Sequence, residues 1–301
     1  MKVFPIGFSI PKCLIVEQIP EKEKFLATII PGDTSTYIFN EQKEYYNDYK
    51  ISNFGITCKK AGWDCLRHYE ILLNGCVPFF TDLDKCPEKT MHRFPKKLVN
   101  EAMSLPGVIW DVNSSTPPTV DENTFVQGEY NKLNEALLQH TKEYLTTESM
   151  ASYLLNCCNA PDAKDVLFIS NDISPDYLRC TLLHGFKELL GTECIDIPKI
   201  PHLYDTYQNP KSLYGKGFTY TCHLRDENID RGNNNLQKIK DREFDLIIYG
   251  SVHRGMPMIN FVKENYDPSE IAFVCGEDIH RCDYLYNDEF KDSNFFVREL
   301  E

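Results

Sequence analysis

The chain of 301 residues carries a formal net charge of −13 and 42% hydrophobic residues, so it is long enough for two domains that each bury a core. The negative charge argues against nucleic acid or an anionic membrane surface as partner, although a local basic patch would still suit a phosphate. The first residues lack the pattern of a signal peptide, and no uncharged run is long enough for a membrane helix. We therefore expect a globular protein with no membrane insertion.

The first half of the chain alternates short apolar runs with helical patterns. It predicts strands at 25–32, 36–39, 76–80 and 107–110, and helices at 63–74 and 95–105. Turn-forming residues predict a loop over 111–124. The apolar spacing over 130–158 predicts one long helix, or two helices with a break near the residues LTTES. The polar segment 159–165 has the composition of a hinge, so we place the domain boundary near residue 160.

The second half predicts a parallel sheet, because short β-rich runs alternate with helical segments. The predicted strands lie at 165–170, 194–197, 244–250 and 270–276, and the predicted helices at 177–191 and 258–266. In a doubly wound fold, ligands gather at the carboxyl ends of the strands. The residues expected at that edge are Asn171, Asp172, Ser251, His253, Arg254, Glu277 and Asp278. We expect two α/β domains, residues 1–159 and 160–301, that face a central cleft.

The twelve cysteines form no CxxC pair. In a chain without a secretion signal, this usage indicates reduced thiols and a cytoplasmic location rather than a disulfide framework. The spacings also fail to match the paired ligands of a structural zinc site. We therefore expect no metal and no cofactor held by cysteine.

Residues 56–84, ITCKKAGWDCLRHYEILLNGCVPFFTDLD, join a basic loop, a helical pattern, a glycine and an apolar strand. Lys59, Lys60 and Gly62 precede the predicted helix, where backbone N–H groups and the positive end of the helix dipole suit a phosphate. Arg67 and Glu70 recur on one polar stripe of that helix. Spacing alone allows two interpretations of this pair, a surface ion pair or a nucleotide site in which Glu70 accepts ribose hydroxyls.

The segment RHYEILLNGCVPFFTDLDKCP resembles the nucleotide-sugar motif of exostosin-like glycosyltransferases, in which Arg-x-x-Glu on a helix precedes Gly-Cys-x-Pro and an apolar strand. The similarity covers most of 50–105 and is greatest to short soluble members associated with large DNA viruses. It implies a GT-B fold of two Rossmann-like domains. By position, Arg67 would contact the phosphates or the sugar, Glu70 would bind the ribose, and Gly75 would shape the turn.

The resemblance also implies the reaction. A hexosyl- or pentosyltransferase of this kind moves a sugar from a nucleotide sugar, UDP-linked in our interpretation, to a glycan or glycoprotein acceptor without a metal. A viral member would act in the host cytoplasm. The family places its donor motif in the second half of the chain, whereas here the motif lies in the first. Either the two halves are permuted, with 160–301 as the acceptor domain, or 160–301 has another role; we favour permutation.

The catalytic base should come from the second half, close to the acceptor hydroxyl. Three residues at predicted strand ends are candidates, and each has a structural alternative such as a helix cap or a loop hydrogen bond: Asp172, His253 and Glu277. The aromatic loop PHLYDTYQNPKSLYGKGF could stack on sugar rings through Tyr204, Tyr207 and Tyr214.

Two alternatives stay open. Asp82 and Asp84 follow an apolar strand, as does the Asp-x-Asp pair with which a GT-A-like transferase holds Mn²⁺ or Mg²⁺. The chain could also be a catalytically silent module that binds glycans or nucleotides with the same fold. Binding without turnover would favour the module.

Overall fold

The computed structural model describes residues 1–111, 117–279, 282–287 and 290–301. The strands are β1 (Lys2–Pro5), β2 (Lys24–Leu26), β3 (Ser52–Thr57), β4 (Val77–Phe80), β5 (Val108–Ile109), β6 (Thr119–Val120), β7 (Val166–Ile169), β8 (Cys194–Ile197), β9 (Leu246–Tyr249), β10 (Ile271–Cys275) and β11 (Asn294–Val297). The helices are α1 (Gln42–Lys50), α2 (Leu66–Leu73), α3 (Lys96–Met103), α4 (Gln127–Tyr144), α5 (Thr147–Cys157), α6 (Tyr177–Leu190), α7 (Asn234–Lys240) and α8 (Ile259–Asn265). The predicted α/β class is confirmed.

The helix predictions hold in outline, and the long helical segment is two helices. The side chain of Thr146 accepts a hydrogen bond from the backbone N–H of Ser149 at 3.2 Å, which starts α5 after the break near LTTES. The described part of the predicted loop 111–124 contains β6, and residues 112–116 lie outside the described residues. None of the described helices is both long and apolar enough to cross a lipid bilayer.

The strand predicted at 36–39 is wrong. Residues Thr34–Thr36 form a turn of 3₁₀ helix instead, and the side chain of Asp33 accepts a hydrogen bond from the backbone N–H of Ser35 at 3.0 Å. Such a short polar side chain offers the backbone a local partner that competes with a strand ladder. Local hydrogen bonding therefore prevails over β propensity here.

The chain divides into two compact units. Unit 1 comprises Met1–Pro11, Pro87–His92 and Thr146–Glu301, and unit 2 comprises Lys12–Cys86 and Arg93–Leu145. The sequence placed the domain boundary near residue 160. In the structure, the chain passes from unit 2 into unit 1 for the last time at Leu145 and Thr146, between α4 and α5.

Unit 1 contains a six-stranded sheet in the order β1-β11-β10-β9-β7-β8, and every pairing in it is parallel. From β7 the chain adds β8 on one side and then β9, β10 and β11 on the other. The strand order therefore reverses beside β7. In an open parallel sheet, the crevice outside the carboxyl ends at such a reversal is the usual place for a ligand.

The central strands β7, β9 and β10 of the unit 1 sheet are buried on both faces, which explains why they are continuous apolar runs. On one face, Phe273 stacks between Tyr249 and Phe295 at ring-centre distances of 5.5 and 4.9 Å, in a cluster that includes Val262 of α8. On the other face, the ring of Phe168 lies against that of Phe186 of α6, with 6.4 Å between the ring centres. Helices on both faces thus hold the strand ends in fixed positions.

Unit 2 contains a three-stranded parallel sheet in the order β2-β3-β4, with α1 and α2 as its crossovers, and a two-stranded antiparallel ladder of β5 and β6. Phe54 of β3 is fully buried and contacts the rings of Phe25, Phe79 and Tyr130. This sheet is smaller than that of a Rossmann-like domain. The prediction of two Rossmann-like domains is therefore not confirmed, and the structure shows an α/β protein with a parallel sheet in unit 1.

Candidate functional site

A pocket of about 530 Å³ opens at the carboxyl edge of the unit 1 sheet. This volume lies in the range of small-molecule sites. We call it the edge pocket, and its lining consists of Phe8, Pro175, Asp176, Tyr177, Tyr214, His253, Arg254, Gly276, Glu277, Asp278, Ile279 and Arg298. Most of these residues lie in the segments that follow the carboxyl ends of β1, β7, β9, β10 or β11, and Tyr214 comes from the long loop after β8. The sequence-based expectation that polar residues meet at this edge is confirmed for His253, Arg254, Glu277 and Asp278.

Asp176 lines the edge pocket with a side chain that is only 9% exposed. Its side chain accepts a hydrogen bond from the backbone N–H of Arg179 at 3.1 Å, which caps α6. It also accepts hydrogen bonds from Ser251 Oγ at 2.7 Å and from Arg254 Nε at 3.0 Å. Burial raises the pKa of Asp176, but the charge of Arg179 and these hydrogen bonds outweigh burial, so the pKa is lowered overall. Asp176 is therefore a fixed negative charge.

His253 lies beside this carboxylate. Its Nε2 is 3.7 Å from Asp176 Oδ2, and its side chain is mostly buried. Burial lowers the pKa of His253, the charge of Asp176 opposes that effect, and Arg254 adds to it; the net pKa is below the usual value. At neutral pH the imidazole is therefore uncharged and able to accept a proton.

The two arginines of the edge pocket are both paired. Arg254 contacts Asp176 and donates to Ser174 Oγ at 2.6 Å. Arg298 is buried, forms an ion pair with the exposed Asp278, and lies over the ring of Phe8 with its guanidinium carbon 4.8 Å from the ring centre. With three carboxylates and two guanidinium groups in its lining, the edge pocket offers no excess of positive charge.

Asp172 and Glu277, the two predicted carboxylate bases, differ in surroundings. Asp172 accepts hydrogen bonds from Ser174 and contacts the buried Arg179 at 3.3 Å, and it does not line the pocket. Partial burial raises the pKa of Asp172, but the hydrogen bonds from Ser174 and the charges of Arg179 and Arg254 outweigh burial, so its pKa is lowered overall. Asp172 thus stabilises the loop after β7. Glu277 is half-buried in the pocket wall, with a carboxylate oxygen 3.9 Å from Cys275 Sγ.

Sequence reasoning missed several residues of the pocket. Phe8 and Arg298 follow β1 and β11, which were not predicted as strands. Asp176 could have been found, because an aspartate directly before the predicted helix at 177–191 is an N-cap signal. Tyr177 is the first residue of α6, and no sequence pattern distinguished it from a core position.

In unit 2, Arg67 is a residue predicted to bind the nucleotide-sugar donor, and part of its guanidinium forms no hydrogen bond with a described residue. Its Nη2 donates to Tyr37 Oη at 3.3 Å, and its guanidinium carbon lies 5.2 Å from the centre of the Tyr37 ring. Its Nε and Nη1 are buried and form no hydrogen bond with any residue that the structure describes. Buried N–H groups of an arginine normally have acceptors. The arrangement therefore suits an anion at this guanidinium.

Glu70 lies one turn further along α2 and is buried rather than exposed. Its carboxylate accepts a hydrogen bond from Tyr45 Oη at 2.7 Å, and Tyr49 Oη donates to Tyr45 Oη at 3.3 Å. A solvent-exposed ion pair is therefore excluded for Glu70. Whether it binds ribose stays a prediction, since Tyr45 already occupies part of its hydrogen-bonding capacity.

The predicted phosphate loop is largely engaged within unit 2. The backbone N–H of Lys59 donates to Asp82 at 3.2 Å, and the backbone N–H of Lys60 donates to the carbonyl of Gly62 at 3.0 Å. Gly75 adopts a φ of 64° just after α2, as predicted for a helix C-terminus, and its carbonyl accepts hydrogen bonds from Lys22 and Asn134. In this arrangement Gly75 shapes the turn, and Lys60 is left exposed.

The Asp-x-Asp pair follows β4 as predicted. Asp82 accepts the hydrogen bond from the backbone of Lys59, and Asp84 is exposed. Among the residues that the structure describes, no group of three or more His, Cys, Asp or Glu side chains could hold a metal ion.

No family model, no curated protein and no solved structure matches the chain. The resemblance to exostosin-like enzymes therefore rests on the sequence motif beginning at Arg67 alone.

Proposed function

We propose that the protein is a glycosyltransferase that binds the acceptor sugar in the edge pocket and the nucleotide-sugar donor at Arg67. The observation that carries the proposal is the edge pocket itself, which joins aromatic faces, fixed charged groups and a neutral histidine at the carboxyl edge of a parallel sheet. Rings with apolar C–H faces and many hydroxyl groups are ligands that suit such a lining. The edge pocket is thus the acceptor site of the proposal.

Charge decides which substrate belongs in which unit. A nucleoside diphosphate in the edge pocket would meet Asp176, Glu277 and Asp278, while both arginines there already have carboxylate partners. Like charges in a partly buried site repel strongly. Arg67 presents buried N–H groups without a described acceptor, so the diphosphate is better accommodated in unit 2. This division retains the donor and acceptor roles of a GT-B-like enzyme with a reduced donor half.

His253 is the catalytic base of the proposed reaction. The acceptor hydroxyl transfers its proton to the neutral imidazole while its oxygen forms a bond with the anomeric carbon. The bond between that carbon and the diphosphate oxygen breaks, and the nucleoside diphosphate leaves with the electron pair. The negative charge of Asp176, 3.7 Å from His253, stabilises the imidazolium that forms. Arg67 would stabilise the leaving diphosphate without a metal.

The donor site is tested by thermal shift of the full chain with UDP and GDP, followed by an assay of UDP release from UDP-glucose, UDP-galactose, UDP-N-acetylglucosamine and UDP-xylose. We expect UDP to raise the melting temperature of the wild type and of the control variant Arg93→Lys, but not that of Arg67→Lys. Arg93 is a suitable control because its guanidinium also stacks on a tyrosine, Tyr144, in the same unit.

Measuring turnover distinguishes a glycosyltransferase from a catalytically silent binding module. Release of UDP that depends on an added glycan supports the transferase. Stable nucleotide binding without any release would identify a silent binding module instead. No response to any nucleotide would overturn the proposal.

A further inference from the structure

The geometry points to Tyr214 as a stacking platform for a second sugar ring, so that the edge pocket takes an oligosaccharide rather than a single sugar. This inference rests on the proposed function, because it concerns the same acceptor site. Tyr214 lines the pocket, yet its residue surface is 77% exposed, the largest value among the exposed large hydrophobic residues described. An aromatic face at the mouth of a polar pocket can contact a ligand that extends beyond it.

Tyr214 belongs to a ring cluster rather than lying alone on the surface. Its ring centre is 5.7 Å from that of Tyr177, with an angle of 38° between the planes. Tyr177 in turn contacts Tyr220 at 4.9 Å and Phe8 at 6.0 Å, both edge-on. Isolated exposed apolar residues need no explanation, but this ring continues an apolar wall from the buried part of the pocket to its mouth.

The backbone around Tyr214 holds the ring in place at an energetic cost. Lys216 and Thr219 have φ angles of 57° and 74°, in the region that side chains other than glycine rarely adopt. Such a backbone conformation is strained and persists only where the surroundings enforce it. Gly215, with a φ of 61°, leaves room for the hydroxyl of Tyr177, where a Cβ atom would clash. Tyr220 Oη also donates to the carbonyl of Tyr214 at 2.9 Å.

The other two tyrosines of the aromatic loop do not offer a free face at this site. Tyr204 is 1% exposed, and its hydroxyl contacts Asp196 and Arg231. Tyr207 is half-buried and contacts His202 at 6.2 Å. Of the three tyrosines predicted to stack on sugars, Tyr214 alone lines the edge pocket.

A sugar ring suits this platform better than a nucleobase. A base on Tyr214 would bring its phosphates towards the carboxylates of Glu277 and Asp278. A pyranose presents C–H groups to the ring and hydroxyl groups to the carboxylates, and it carries no charge. An inner sugar beside His253 and an outer sugar on Tyr214 would use both parts of the pocket.

The test uses ¹⁵N-labelled full-length protein and measures dissociation constants from NMR titrations. The probes are cellotriose, chitotriose and maltotriose, each compared with the methyl glycoside of its monosaccharide. For any trisaccharide that binds, we expect Tyr214→Ala to weaken binding by about tenfold and to leave the matching monosaccharide unaffected. Tyr214→Phe retains the ring and should bind as the wild type does. Tyr144→Ala, an exposed tyrosine of unit 2, serves as the control.

The outcomes distinguish this inference from the proposed function. Equal trisaccharide affinity in the wild type and Tyr214→Ala would overturn the platform while leaving the acceptor pocket intact. Equal weakening of monosaccharide and trisaccharide binding would also overturn it, because Tyr214 would then belong to the inner subsite. If none of the six sugars binds the wild type, the acceptor site fails and the platform fails with it.

Discussion

The carboxyl edge of the unit 1 sheet and the polar stripe of α2 in unit 2 were both expected to carry chemistry, and they differ in how far their polar groups are available. At the sheet edge, His253 and Glu277 line an open pocket. On α2, Glu70 is buried against Tyr45, and His68 bonds Thr57 Oγ1 at 2.8 Å and the carbonyl of Trp63 at 2.9 Å. Arg67 has buried N–H groups that donate no hydrogen bond to any described residue. The sheet edge thus leaves several polar groups available in one pocket, whereas the stripe of α2 leaves the guanidinium of Arg67.

The largest expected effect is a loss of stability at acid pH in both units. Burial lowers the pKa of His68 in unit 2 and of His184 in unit 1 to about 3 each. Because both stay neutral in the folded state, the unfolded chain binds more protons below its histidine pKa of about 6.5, and the free energy of unfolding falls by about 1.4 kcal/mol per pH unit for each histidine. Stability should therefore be complete above pH 6.5 and decrease steadily towards pH 4.

Urea unfolding at pH 7 and at pH 5 measures this effect. The variant His68→Gln should be less stable at pH 7, because Thr57 and Trp63 lose a partner, but its stability should depend less on pH. A pH dependence equal to that of the wild type would show that His68 titrates alike in the folded and unfolded chains.

His253→Gln tests the edge pocket. We expect the transfer rate to fall by at least about 100-fold, because glutamine cannot accept the hydroxyl proton. Sugar binding should change little, since glutamine is polar and of similar size. The control is His140→Gln, whose Nε2 contacts the carbonyl of Arg93 in unit 2. Transfer that survives in His253→Gln but not in Glu277→Gln would reassign the base to Glu277.

The pH profile of transfer refines that assignment. Because the pKa of His253 is lowered, activity should persist below pH 6.5 and decline only as the imidazole becomes protonated. Asp176→Asn keeps the cap of α6 but removes the charge that raises the pKa of His253, so the acidic limb should move to lower pH. An unchanged limb would show that another group titrates.

Much of the edge pocket could be predicted, because four buried strands of unit 1 are continuous apolar runs and their polar ends are visible in the sequence. Arg298 and Phe8 were missed with their strands. The burial of Glu70 could not be predicted, since its partner Tyr45 lies 25 positions away and no local pattern joins them. The choice of Tyr214 among the three tyrosines of the aromatic loop required the structure, because Tyr214 is exposed and lines the edge pocket whereas the other two do not line it.

Glu70 gives a smaller effect that compares the two regions directly. Glu70→Ala should lower the stability of the unliganded protein by about 1–3 kcal/mol, because the buried hydrogen bond between Tyr45 Oη and the Glu70 carboxylate would be lost. Glu70→Gln keeps an acceptor and should be milder. If Glu70 also binds ribose, Glu70→Gln should weaken UDP binding by about tenfold. Unchanged UDP affinity would restrict Glu70 to a structural role.

Asp84→Asn is expected to have the smallest effect. The side chain is exposed, so the change in stability should stay within about 0.5 kcal/mol. Transfer should also be unaffected by the substitution and by EDTA. Loss of transfer in EDTA, restored by Mn²⁺, would favour the GT-A-like alternative.

The assignment of the donor to unit 2 and of the acceptor to unit 1 is tested most directly by the structure of a full-chain crystal soaked with UDP. We expect the diphosphate at the guanidinium of Arg67 in unit 2 and no nucleotide in the edge pocket, because Asp176, Glu277 and Asp278 repel phosphate. A diphosphate bound between Arg254 and Arg298 in the edge pocket would contradict the account, since unit 1 would then hold the donor.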